Sequence, residues 1–196
     1  MSDLKTKEFF RLERAGRRLY DARLVVGALG SLAVRLGSGA IAVSARSARL
    51  GFLNQQDMVV LDSNGLPPEG SRPVNDDVGM LYQVLETCED SNAVIRINPA
   101  FTTALSFGGY RKVEKASEVM EHLGGVAFIP YYRPGTAGLA GAVADAMREA
   151  RVAVIERQGP VVRGDDVESA VDLAEALEAA SKVSFLISGN GDTRGW

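Results

Sequence analysis

The stretch VIRINPAFTTA, residues 94–104, places an arginine and an asparagine two positions apart in an apolar run. Side chains alternate along a strand, so Arg96 and Asn98 share one face while Ile95 and Ile97 share the other. A guanidinium is planar, permanently charged and rich in donors, which suits it to a carboxylate or a phosphate. Left buried without a partner it would cost several kcal/mol, so Arg96 must meet an anion or a set of acceptors. Other reactive side chains are sparse. The single cysteine, Cys88, closes the helical run VGMLYQVLETC and reads as a small core residue. The single histidine, His122, lies late in the amphipathic stretch KASEVMEHL, where a helix C-terminal dipole favours it. One of each makes a zinc site of the usual His or Cys kind very hard to assemble, and one cysteine forms no intrachain disulfide.

The elements that must position Arg96 and Asn98 follow from periodicity. The N-terminal segment predicts a helix with Phe9, Leu12, Leu19 and Tyr20 along its apolar stripe. SLAVR and AIAVS read as strands across the tight turn LGSG, and DMVVLD as a third strand. LPPEGSRP is a loop, and a helix is predicted from about Asn75 to Cys88. AVIRIN is the strand that carries the opening pair. Pro99 ends it and suits the start of another helix. GVAFIP is a strand, and GTAGLAGAVADAMREA a helix with Leu139, Val143 and Met147 at four-residue spacing. Its glycines fall inside a helix rather than in a strand-to-helix turn, so it is no dinucleotide-binding loop. VAVIE and GPVVRG flank a turn at Arg157, Gln158 and Gly159, and DDVESAVDLAEALEAASKV is a strong helix, with Asp165 and Glu168 spaced as a capping box. Strands joined by tight turns imply antiparallel pairs. The prediction is a three-layer α/β/α sandwich around a mixed, largely antiparallel sheet.

The chain has 196 residues, a net charge of −3 and an apolar fraction of 46%, which fits one domain with a substantial core. We expect that domain to span 1–196, with a core from about 8 to 185 and a Gly-rich tail over 188–196. A sequence pI of about 5.3 gives no pull toward nucleic acid or an anionic membrane. The basic residues of the first helix, among them Arg11, Arg14, Arg17 and Arg18, read as a solvated face. The start MSDLKTKEFF lacks the apolar core of a signal peptide, and no apolar run approaches a bilayer span. A cytoplasmic location is expected.

Three phrases, in this order and at these spacings, carry a resemblance: QQDMVVLDSNG, GGVAFIPYYRPGT, and AVIERQGPVVRGDDVESAVDLAEALEAAS. Together with the element order they resemble the class II aldolase/adducin family over about residues 8–185. The resemblance implies a retro-aldol or epimerase reaction on a sugar phosphate, with a zinc ion held by three histidines stabilising an enediolate and a glutamate moving the proton.

The residues at the implied positions are different ones. The family's His-x-His falls on Arg96 and Asn98, and its third histidine on Gln158. The acid–base glutamate falls on Asp76, and the two serines before it on Val74 and Asn75. The phosphate loop falls on GSLAV, with Ser31 and Ala33 at its polar positions. A second loop falls on AVSAR, where Ser44 alone keeps its type.

Arginine has no lone pair for a metal, and the oxygens of Asn98, Gln158 and Asp76 suit only a weakly held hard cation. No cofactor is therefore expected. Arg96 would supply the positive charge itself, with Asp76 as its ionic partner and Asn98 and Gln158 orienting the pair. The Arg96–Asp76 pair is either closed and structural or open to a small anionic, sugar-phosphate-like ligand. These alternatives describe a metal-free pseudoenzyme or an anion-binding, oligomeric scaffold. A further alternative is an active lyase or epimerase using Arg96 and Asp76 without zinc, with Tyr110, Tyr131 or Tyr132 as proton donor. The resemblance also implies a homo-oligomer, a tetramer, with the tail and its Trp196 reaching a neighbour.

Overall fold

The computed structural model describes residues 6–107, 123 and 125–189. The elements run in the order α1 (Thr6–Asp21), β1 (Ser31–Arg35), β2 (Ile41–Ser44), β3 (Met58–Val60), α2 (Val78–Thr87), β4 (Ala93–Arg96), α3 (Ala100–Ser106), β5 (Val126–Ile129), α4 (Ala137–Ala146), β6 (Val152–Ile155), β7 (Gly159–Gly164) and α5 (Val167–Gly189). The His122 and Tyr110 readings, and that of Trp196, lie outside the described residues.

The strands form one seven-stranded sheet in the order β3-β2-β1-β4-β7-β6-β5. β5 and β6 run parallel, and the other five junctions are antiparallel. This is the mixed, largely antiparallel sheet that the tight turns imply. Alternation sorts the strand residues into two cores. Leu32, Val34, Ile95, Ile97, Val154 and Val162 pack with α1 and α5 on one face. Ala33, Val43, Val94, Ala153 and Val161 pack with α2 and α4 on the other. The result is a three-layer α/β/α sandwich. Each leucine buried between layers contributes roughly 1.5–3 kcal/mol.

Several boundaries differ from the predicted ones. α2 begins at Val78 rather than near Asn75, because a turn closed by Val78 N donating to Asn75 O precedes it. The third strand keeps only Met58–Val60, since Gln55–Asp57 form a 3-10 turn ahead of it. The capping box of α5 sits one residue later than expected. Asp166 Oδ1 accepts from Ser169 N at 2.8 Å, and Ser169 Oγ accepts from Asp166 N at 3.1 Å. Glu168 is thereby free to meet Arg11 at 2.6 Å. The basic face of α1 is thus partly a docking face. Arg18 likewise reaches Asp172 and Glu175 of α5 at 2.6 Å each. Exposed pairs of this kind are worth about 0–1 kcal/mol each, so they orient the two helices more than they hold them.

Candidate active site at the end of the central strands

The opening pair lies where β4 ends, in the middle of the sheet. Ile95 and Ile97 are fully buried toward α1 and α5, so Arg96 and Asn98 face the α2/α4 side, as a period of two requires. Arg96 stands opposite Ser31 of β1 and Val161 of β7 in the sheet register. Beyond Asn98 the chain turns at Pro99 into α3. Proline makes no side-chain capping bond, and Glu178 of α5 does the capping instead. Its two carboxylate oxygens accept from Phe101 N and Thr102 N, both at 2.9 Å. That clamp fixes where Asn98 leaves the sheet.

Gln158 is brought in by the β6–β7 turn. Arg157 has φ +62° and Gly159 φ +87°, both in the left-handed region. At Gly159 a Cβ would fall 2.6 Å from Ile97 O, so only glycine fits. The turn points the Gln158 carbonyl at the end of β4, where it accepts from Asn98 Nδ2 at 3.0 Å and from Arg96 Nη2 at 3.2 Å. Its side chain is 7% exposed and donates from Nε2 to Tyr132 O at 2.5 Å.

The expected Arg96–Asp76 pair is not formed. The carboxylate beside Arg96 belongs to Asp77, whose Oδ2 lies 3.5 Å from Arg96 Nη1 and accepts from Ser31 Oγ at 3.2 Å. Asp76 is exposed and accepts from Arg46 Nη2 at 2.7 Å. The reason is local. A bridge between Ala45 and Val74, and Arg46 N donating to Pro73 O, lay this segment beside β2 and direct Asp76 to Arg46. The next residue, Asp77, immediately precedes α2 with helical φ and ψ, and successive helical residues point about 100° apart. Asp77 therefore turns toward the sheet. Sequence reasoning missed it, although the doublet of acidic residues before a helix was the available signal.

Ser31 thus joins the cluster. Ser44 turns its hydroxyl into the sheet, accepting from Leu32 N at 3.1 Å. Asn75 contributes its carbonyl to the turn before α2. Tyr132 takes part through its backbone carbonyl, and Tyr131 N donates to Glu156 Oε2 at 3.2 Å.

Four polar atoms around this cluster are buried with no hydrogen-bond partner: Arg96 Nε, Asn98 Oδ1, Gln158 Oε1 and Thr103 Oγ1. The two amide orientations are not interchangeable. Each amide nitrogen donates to a backbone carbonyl, which only accepts, so each oxygen must be the free atom. An unpartnered buried polar atom costs about 1–3 kcal/mol, which is a large concentration of cost in one place.

These residues do not fit a zinc ion. Among the described residues, no three His, Cys, Asp or Glu side chains gather closely enough to hold a metal. A guanidinium at the centre offers no lone pair and repels a cation.

Comparison with known proteins agrees with this fold. The family profile "Class II Aldolase and Adducin N-terminal domain" matches residues 11–185. A 3-oxo-tetronate 4-phosphate decarboxylase of Haemophilus influenzae is 29% identical over 194 residues, covering 96% of this chain and 91% of that protein. An L-fuculose phosphate aldolase of Methanococcus maripaludis is 25% identical over 172 residues, covering 88% and 93%. A solved L-fuculose 1-phosphate aldolase superposes with a TM-score of 0.83 at 23% identity, covering 98% of this chain and 91% of that one. No described helix is long and apolar enough to cross a membrane. The chain belongs to the class II aldolase and adducin family.

Proposed function

We propose that this chain uses the class II aldolase fold to bind a small anionic, sugar-phosphate-like ligand, with Arg96 in place of a metal ion. It is then no zinc-dependent aldolase. The observation that carries this reading is the guanidinium at the sheet end, whose Nε is buried without a hydrogen-bond partner. The relatives support the ligand class, since their names specify phosphorylated substrates. Self-association as a homotetramer and a cytoplasmic location belong to the same proposal. Sedimentation as a monomer at micromolar concentration would remove the oligomer from it.

A second reading is a metal-free carbon–carbon lyase, and the relatives, which are enzymes, favour it. A guanidinium can stabilise the negative charge that develops on an enolate oxygen. Asp77 is then the carboxylate beside Arg96, with Asp76 on the wall of the same cleft.

The test is calorimetric titration of the purified chain with L-fuculose 1-phosphate and dihydroxyacetone phosphate, in excess chelator and then with zinc, alongside a product assay. Binding should survive the chelator, disappear in Arg96→Ala, and give no turnover. Turnover that needs Arg96 but not zinc would establish the second reading. Binding that requires zinc would sink both.

A further inference from the structure

The space between Arg96 and Ser31 is held by a carboxylate that the protein supplies. Asp77 Oδ2 takes the Ser31 hydroxyl at 3.2 Å and stands 3.5 Å from Arg96 Nη1. Asp77 sits at the head of α2 but makes no side-chain capping bond there, so its carboxylate is committed to the sheet end. The ionic contact is long. A guanidinium is best satisfied by a coplanar carboxylate that takes two of its N–H groups, and here Nε is buried with none. Asp77, tied to the first turn of a helix, does not supply that second bond.

The neighbouring orphans specify what else a ligand must bring. Asn98 Oδ1 and Gln158 Oε1 are acceptors whose orientation is forced, so they need a ligand that donates. The dianion of a phosphate monoester accepts only and would leave both amide oxygens unsatisfied. A carboxylate with a hydroxyl beside it meets both demands. None of Arg96, Ser31, Asn98 and Gln158 lines the neighbouring cleft, and Asp77 is the residue that links them to it. That residue forms part of the wall of a cleft of about 280 Å³ between the first turns of α2 and α4, which Met80, Thr136 and Leu139 also line.

We infer that the site takes a small hydroxycarboxylate, whose carboxylate replaces that of Asp77 between Arg96 and Ser31 and whose hydroxyl donates to Asn98 or Gln158. The inference rests on Arg96 being the anion site, and it names the group that lies against it. Asp77 is then an internal competitor. It keeps the charge of Arg96 partnered when the site is empty and scales the apparent affinity by the fraction of time its carboxylate is away.

The full chain, in chelator, is titrated calorimetrically with glycolate, acetate and methyl phosphate. Glycolate should bind about three- to tenfold tighter than acetate, the worth of one hydrogen bond to a buried acceptor. Methyl phosphate should bind more weakly than glycolate. Asp77→Asn should tighten glycolate and acetate alike by on the order of tenfold. Asn98→Leu should bring glycolate toward acetate and leave acetate unchanged. Equal binding of glycolate and acetate by the wild-type chain overturns the inference, because the amide oxygens then hold water. Methyl phosphate binding tighter than glycolate also overturns it while leaving the anion reading of Arg96 intact. Failure of all three probes, in wild type and Asp77→Asn, removes that reading together with the inference. The wild-type ranking needs no variant, so a misfolded substitution does not spoil the test.

Discussion

Two arginines stand at opposite ends of the same pair of strands, Arg163 buried and Arg96 half-buried. Arg163 of β7 lies across from Val94, and Arg96 of β4 across from Val161. Both valines belong to the α2/α4 core, so both arginines face the same layer. Their surroundings differ. Arg163 donates from Nε to Met147 O at 2.9 Å and Ala150 O at 3.2 Å. Its Nη1 reaches both oxygens of Asp90 and the Ser91 hydroxyl, each at 2.8 Å. That arginine ties the end of α4 to the segment after α2. Cys88 belongs to the same knot, its Sγ lying 3.3 Å from Met147 O, and burial pushes its thiol up, in keeping with a packing role. At the other end Arg96 has one long ion pair, one bond to a carbonyl and an unpartnered Nε. The same residue type in the same layer is saturated where the fold is being closed and unsaturated where the resemblance places chemistry. Hydrogen-bond completeness, more than burial, separates the two roles.

The contrast breaks most directly at Arg163. Arg163→Met leaves the carbonyls of Met147 and Ala150 without their donor, and should cost about 3 kcal/mol of stability in denaturant unfolding. Arg96→Met should cost less, about 1 kcal/mol, because Gln158 O keeps its bond from Asn98 Nδ2, Asp77 keeps the Ser31 hydroxyl and the orphaned Nε is removed. Equal losses would mean that hydrogen-bond completeness does not separate the two arginines. A smaller effect sharpens the comparison. Hydrogen bonds from Arg163 hold the Asp90 carboxyl below its usual range. Its folded value is below its unfolded one, so the stability it contributes is complete above the unfolded value, about 4. That contribution is lost as the pH falls from there through the folded value. Arg163→Met should flatten this part of the acid-unfolding curve, and Arg96→Met should leave it as it is.

Much of the architecture is legible in the residue pattern. VAVIE and GPVVRG become β6 and β7 with little change, because a strand buried on both faces and a glycine turn are local signals. The common face of Arg96 and Asn98 is legible for the same reason, since period two needs no tertiary information. Choosing between neighbours is harder. Asp76 and Asp77 carry the same charge one residue apart, and the direction of each depends on a bridge between Ala45 and Val74, residues far apart in sequence. Asp165 and Asp166 pose the same difficulty at α5, where the first turn of the helix selects the second of them. The role of Glu178 is hidden for another reason: its target, the head of α3, lies 76 and 77 residues away along the chain.

Gly159 separates two kinds of heritable change at this site. Its neighbour Gln158 presents a backbone carbonyl to Arg96 and Asn98, and its side chain is what a mutation there would exchange. Residue 159 has no such freedom, with its φ of +87° and the Ile97 carbonyl where a Cβ would be. A codon change at 158 alters what the turn offers to a ligand, while one at 159 alters whether the turn exists. Side-chain chemistry at 158 can therefore change while the scaffold that presents it is kept.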